Sequence, residues 1–293
     1  LKTVKIRQKL VPWMFMLPAL IILGVFTFYP IIYSIPLAFM KYSVIGQTSW
    51  VGLQNFTRAF QDSDFWVSLG HSAEFVIVVP ILQLISIYLA TVVNKPLPGV
   101  TIFRVLFYIP VVTSMVAVGI MWGFILDPTG LINTLMQNAG FSHVIYFMNN
   151  SHLTLPILMG ITIWQGIGYY MMMYLGGLQG IPSELSEAAE IDGASPATIF
   201  FKITIPLLKP FIWVCSLMSL IAALGVFDIV FVMTQGGPNN ATLVTNYYSY
   251  NQAFGNFNFG YGAAVGLLLS IVITLFSVIL FVYQRKGGQT HAK

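Results

Sequence analysis

From Leu10 to Met40 the chain carries no Asp, Glu, Lys or Arg. As a helix that stretch is about 45 Å long at 1.5 Å per residue, more than the roughly 30 Å of a bilayer's hydrocarbon core. Comparable apolar runs follow at about Phe75 to Asn94, between Arg104 and Asp127, and at about Thr154 to Leu178, Pro210 to Thr234 and Tyr261 to Gln284. Only 8% of the 293 residues are charged, against 57% hydrophobic. Ordinary soluble domains carry about 25% charged residues, so this chain cannot coat a water-facing surface. The runs are long and apolar on all sides, unlike the short alternating strands of a membrane barrel. An all-α membrane protein with six transmembrane helices is expected, a single transmembrane domain over residues 1–293. No internal repeat and no appended soluble domain is visible. The first run lacks a small-residue cleavage pattern and reads as a retained span.

Charge orients the spans. With six crossings, both termini share a side with the second–third and fourth–fifth connections. That side holds Lys2, Lys5, Arg7, Lys9, Lys95, Arg104, Lys202, Lys209, Arg285, Lys286 and Lys293, and the other side only Lys41 and Arg58. Basic residues mark the cytoplasmic face. Residues near Ala194 and Gln289 are therefore expected inside, and those near Asn138 and Asn240 outside. The net charge of +4 follows from where the loops lie and does not call for a nucleic acid partner. Of the outer segments, NFTRAFQDSDFW suggests a short interfacial helix, and DPTGLINTLMQNAGF a turn with a small amphipathic piece. The uncharged stretch TQGGPNNATLVTNYYSYNQAFGNFNFG has the composition of an exposed turn, or of a surface docked against another protein.

Inside, four of the nine acids fall within one short stretch: Glu184, Glu187, Glu190 and Asp192. Pro182-Ser183 opens a helix that places the three glutamates one turn apart, where the helix dipole favours acids. Gly193 is placed to close it in a left-handed cap. Ser195-Pro196 then starts another helix, with Ser195 as N-cap and Pro196 at its first position. Pro206 and Pro210 mark re-entry into the fifth span. Two short helices at an angle, one acidic and one apolar, form a docking element. Its bland alternative is a solvated loop held off the lipid by its acids.

These residues also carry a resemblance. Glu187, Ala188, Ala189, Gly193, Ile203 and Pro206 occupy every fixed position of the EAA loop of bacterial ABC-importer permeases, with Ile205 where that family usually has Leu. VGLQNFTRAFQDSDFW, DPTGLIN and FDIVFVMTQGGP resemble further regions of the sugar-permease branch, of the MalF and glycerol-phosphate permease type, and the likeness covers essentially residues 10 to 286. The length leaves no room for the extra N-terminal spans and large periplasmic insertion of the maltose permease itself. The resemblance implies the type I ABC importer permease fold in a bacterial inner membrane, with residues 179–209 as the cytoplasmic coupling loop. In that family the loop enters a cleft on an ATPase subunit. Glu187 and Asp192 would then make polar contacts there, Ala188 and Ala189 allow close approach, and Gly193 provides the bend. The implied partners are a second, similar permease, two cytoplasmic ATPase subunits that bind ATP and Mg, and an extracytoplasmic solute-binding protein.

The chain has no Gly-x-x-x-x-Gly-Lys-Ser/Thr phosphate loop, no nucleophile–base pair in an apolar run, and no metal-ligand spacing among His71, His143, His152 and His291. No cofactor is expected on the chain itself, and no catalytic residue. Its one cysteine, Cys215, lies in an apolar run. Polar groups inside spans face a bundle interior or a cavity. Trp164-Gln165-Gly166-Ile167-Gly168-Tyr169-Tyr170 joins ring faces, an amide and glycines in one span, and aromatic faces and amides suit saccharides. In the next span Ser216, Ser219 and Ala223 share a face. Asp228 could bond a sugar or cap a helix break. The family places sugar contacts on these two spans, so Trp164, Gln165, Gly166, Tyr169, Ser219, Ala223 and Asp228 are the candidate substrate path, with helix packing as the alternative for each. Gly262 and Gly266 are expected to serve packing. Glycerol-phosphate-type or acidic oligosaccharide substrates remain open. An ion-coupled transporter would call for inverted repeats or an acid–base relay, and only Asp228 offers a part of one.

Overall fold

The computed structural model describes residues 2–42, 48–95 and 98–288. Gln289, His291 and Lys293, used above, lie outside the described residues. Among the described residues, five helical stretches are long and apolar enough to cross a membrane: Pro12–Leu37, Ser63–Val93, Met115–Asn138, Pro196–Met233 and Phe259–Gln284. A shorter apolar helix spans Val100–Val112. The 26-residue helix Thr154–Gln179 is not among the five. Its glycines, tyrosines and Gln165 dilute its hydropathy, yet eleven of its 26 residues are buried.

The chain divides into two compact units. The larger holds residues 63–248 and 269–293. Within it α3 (Ser63–Val93) and α9 (Ile205–Leu224) pack against α7 (Thr154–Gln179), with Tyr174, Phe75, Leu158, Met171 and Leu208 fully buried. Close approach is written in glycines. A Cβ on Gly168 would lie 1.9 Å from the Phe107 carbonyl oxygen of α4 (Val100–Val112), and one on Gly177 would meet the Phe211 ring of α9 at 2.8 Å. The smaller unit, residues 1–62 and 249–268, contains α1 (Pro12–Leu37), none of whose apolar window is buried within the chain. It also holds the two-residue strands β1 (Met40–Lys41) and β2 (Ser49–Trp50), and the amphipathic α2 (Gln54–Gln61).

The expected spans differ from the observed ones in three ways. The second begins at Ser63, because the outer segment SDFW continues straight into it. The third is broken into α4 and α5 (Met115–Leu126) at an extended Thr113–Ser114, where Ser114 Oγ caps α5 by accepting the Ala117 N–H. Pro110 favours such an interruption, since it removes one helical donor. The fifth is likewise broken at Gly225–Phe227, after which α10 (Asp228–Met233) begins. Broken helices survive in an apolar setting only where the freed backbone groups find partners. Here Gln165 Nε2 donates to the Thr113 carbonyl at 3.1 Å, and Asn246 Nδ2 to the Gly225 carbonyl at 3.0 Å.

Two prolines are absorbed instead by π-type turns. Tyr29 N–H reaches the Gly24 carbonyl just before Pro30, and Ile205 N–H reaches the Phe200 carbonyl just before Pro206. One extra residue in the turn relieves the clash between the proline ring and the carbonyl four residues back. The third outer segment is not an exposed turn. Thr242, Val244 and Thr245 are fully buried: Thr245 N–H donates to Ser72 Oγ at 2.9 Å, and the Leu243 carbonyl lies 3.0 Å from His71 Nδ1. The hydroxyls of Thr242 and Thr245 are spent inside the fold, which composition alone does not reveal, while Gln235, Asn239 and Asn240 stay exposed. Gly262 does serve packing, as expected: a Cβ there would lie 2.8 Å from the Ser249 carbonyl oxygen.

Candidate functional site

The acid-rich helix α8 (Ser183–Ile191) has no buried residue. Glu184, Glu187, Glu190 and Asp192 are exposed, and Ile191 is 87% exposed at its end. The closure is built as the sequence predicts. Gly193 takes φ +81°, and the Ala194 N–H reaches back to the Ala189 carbonyl at 2.9 Å, the six-to-one bond of a Schellman cap. No Cβ clash opposes a side chain at Gly193; only the left-handed backbone requires glycine. Ser195 Oγ accepts the Thr198 N–H at 3.2 Å, with Pro196 at the first helical position. The second helix is not short, however. It runs on from Pro196 through the π-type turn at Phe200–Thr204 into α9, with Ile203 in that turn and Pro206 just beyond it. A movement of the α8–Gly193 corner is thereby tied by unbroken helix to the residues of α9.

A cavity of about 450 Å³ lies within the larger unit, between α3, α7 and the two pieces around Gly225. Gln165, Gly166, Tyr169, Ser219, Ala223 and Asp228 all line it, joined by Tyr170. Trp164 does not; it packs edge-to-face on Trp122 with ring centroids 5.7 Å apart. At a spacing of about 100° per residue, Trp164 lies away from the face shared by Gln165 and Tyr169. Asp228 is exposed at the first turn of α10, where the helix dipole favours its carboxylate. It is the single charged side chain of the lining.

Beneath the cavity runs a polar network that the sequence did not point to. Gln83 Nε2 donates to Ser219 Oγ at 2.8 Å and to the Cys215 carbonyl at 3.2 Å, while Tyr174 Oη donates to Gln83 Oε1. Ser219 Oγ in turn donates to the Cys215 carbonyl at 2.8 Å. Three helices are cross-linked by groups that are all buried, and Gln83 is the hub. A glutamine centred in VVPILQLISIYLA was the available signal, since an amide in an otherwise apolar run must find partners. Ser86 adds a further bond across α3 and α7, to the Ile167 carbonyl at 3.2 Å. Among the described residues no three His, Cys, Asp or Glu side chains gather as metal ligands.

Helices of membrane-crossing length, two of them broken around a cavity, with an exposed acidic corner, mark a polytopic membrane protein. Residues 83–287 match the family described as "Binding-protein-dependent transport system inner membrane component". The chain belongs to this family: it is a multi-pass inner-membrane permease subunit of a binding-protein-dependent importer. It is similar to the probable ABC transporter permease protein YesP of Bacillus subtilis, 34% identical over 280 residues that cover 94% of this chain and 90% of that protein. The arabinooligosaccharides transport system permease protein AraP of Bacillus subtilis is 33% identical, covering 93% of this chain and 88% of its own. The crystal structure of a bacterial alginate ABC transporter, in complex with an alginate pentasaccharide-bound periplasmic protein, contains a chain of the same fold. Its TM-score is 0.85 at 22% identity, over 96% of each chain.

Proposed function

We propose that this permease subunit passes a saccharide or oligosaccharide along the cavity beside α7 and α9. The observation that carries the reading is the convergence of Tyr169, Gln165 and Asp228 on one volume of about 450 Å³, within the ~300–1,000 Å³ range of small-molecule sites. A ring face, an amide and a carboxylate around apolar walls suit a polyhydroxylated ligand. The cited relative with a named substrate supports the sugar class, since AraP is described as a transporter of arabinooligosaccharides. The chain crosses the membrane six times, with both termini and α8 in the cytoplasm. A second, similar permease completes the path. The chain is not itself an enzyme: ATP and Mg bind to two separate ATPase subunits, whose closure reaches the cavity through Glu187, Ala188, Ala189, Asp192 and Gly193, then Ile203 and Pro206. An extracytoplasmic binding protein delivers the substrate.

The test is uptake and ATP hydrolysis measured side by side in vesicles holding the whole transporter. Tyr169→Ala removes a stacking face and Ala223→Leu fills cavity volume. Each is expected to lower saccharide uptake several-fold, the scale of contacts of about 1 kcal/mol. Hydrolysis stimulated by the loaded binding protein is expected to persist. Wild-type uptake by both variants moves the saccharide path away from this cavity.

A further inference from the structure

Lys41 and Arg58 are the two basic residues that the charge count leaves on the outer side, and both line one pocket of about 310 Å³ within the smaller unit. The walls of that pocket are tightly held. Asn55 Nδ2 donates to the Ala38 and Met40 carbonyls at 2.9 and 3.0 Å, pinning the strand that carries Lys41. Gly260 lies so close beneath it that a Cβ would sit 1.9 Å from the Met40 carbonyl oxygen. The Arg58 guanidinium carbon lies 4.0 Å from the centre of the Tyr261 ring, and Tyr261 Oη donates to Asp62 Oδ2 at 2.6 Å. An arginine resting on an aromatic face keeps its N–H fork directed sideways, where it can take a planar carboxylate on two bonds. Lys41 and Arg58 are both exposed.

We propose that this pocket receives an Asp or Glu side chain of the extracytoplasmic binding protein and anchors its docking. Charge favours a carboxylate. Two cations face the pocket and, among the described residues, no acid lines it, so an incoming carboxylate meets only positive charge there. The same geometry disfavours a saccharide, because the Tyr261 face is covered by Arg58 and the Asn55 amide is committed to two carbonyls. The family depends on a binding protein, which supplies a partner that must find this face. The inference rests on the outward assignment of residues 41 and 58.

Affinity of the cognate, saccharide-loaded binding protein for the complete transporter in lipid nanodiscs, titrated at low and high salt, tests this. Lys41→Gln and Arg58→Gln are each expected to raise Kd about three- to fivefold at low salt and to flatten its salt dependence, as for charges at a docking rim. Arg58→Lys, which keeps the charge and loses the two-bond fork, is expected to keep the salt dependence of the wild type while still weakening binding. Unchanged Kd and salt slope in both glutamine variants overturns the proposal. So does Arg58→Lys behaving as Arg58→Gln while Lys41→Gln binds as wild type, which reduces Arg58 to packing on Tyr261. Direct binding of the saccharide alone, lost in Lys41→Gln, overturns it in favour of a sugar site. Labelling of Lys41→Cys by a membrane-impermeant thiol reagent reports the side. Reaction only from the inside removes the outward assignment and this inference with it, and leaves the family membership standing.

Discussion

The acidic corner at α8 and the cavity beside α7 are built on opposite principles. The corner buries nothing, and every bond that shapes it runs between residues no more than five apart. The cavity and the network beneath it are made by residues far apart in sequence, such as Gln83, Tyr174 and Ser219, each held by the others. The first is shape offered outward; the second is shape closed inward. An outward element depends on backbone conformation and charge, and an inward one on complementary partners, so the two fail differently when altered.

The sharpest break in that comparison is Gly193→Pro. Proline locks φ near −65°, whereas Gly193 holds +81°, so the corner cannot close. Glu187→Lys leaves the backbone alone and reverses an exposed charge. Both variants are expected to insert and to assemble as a bundle, because α8 contributes nothing to the core. Both are expected to lose uptake and substrate-stimulated ATP hydrolysis entirely. Wild-type coupling in both removes the docking role from this corner. If only the proline variant fails, the corner's geometry matters and the Glu187 charge does not.

That contrast also explains what could be read from the sequence. Gly193, Ser195 and Pro196 each dictate a local conformation, so the caps were legible residue by residue. In α9 the spacing of Ser216, Ser219 and Ala223 likewise put the three on one face, whereas in α7 the sequence offered Trp164 to Tyr170 as one stretch without separating its faces. Partners were not legible. Gln165 is spent partly on the Thr113 carbonyl at the break before α5, and Ser219 on Gln83. The breaks themselves were hidden, because an extended Thr113–Ser114 and Gly225–Phe227 depend on amides supplied from elsewhere in the chain. Composition misled outright for the segment around Thr242–Thr245, whose polar residues are buried and paired.

Gln83→Leu probes the inward principle and is expected to have a smaller, different effect. It leaves the Tyr174 hydroxyl buried without its acceptor, and an unsatisfied buried group costs about 1–3 kcal/mol. Thermal stability of the purified transporter falls, and uptake per surviving molecule falls less than uptake per cell. The double variant Gln83→Leu with Tyr174→Phe removes both partners and is expected to recover part of the loss, since an apolar pair leaves nothing unpaired. Equal stability of the single and double variants denies Gln83 its place as the hub. Full coupling with reduced stability, set against the corner variants, separates a bundle that is loosened from one that is disconnected.

The smallest expected effect sharpens the comparison within a single stretch, Trp164 to Tyr170. Trp164 and Tyr169 are both aromatic, both on α7, and the sequence offered them as equals. The structure separates them: Tyr169 lines the cavity, whereas Trp164 meets Trp122 edge-to-face. Trp164→Phe keeps an aromatic edge for that contact, and edge-to-face pairs contribute about 0.5–1.5 kcal/mol beyond burial. Only part of that is lost, so a fall in melting temperature of a few degrees at most is expected. Uptake should stay within about twofold of wild type, in contrast to the several-fold fall expected for Tyr169→Ala. Kinetics make the distinction firm, because a residue on the solute's path changes the concentration dependence of uptake, and one that packs behind it changes only the amount of active protein. A Trp164→Phe variant whose half-saturating concentration shifts at unchanged protein level would put Trp164 back on the path. The cavity would then have to extend past the face that Gln165 and Tyr169 define.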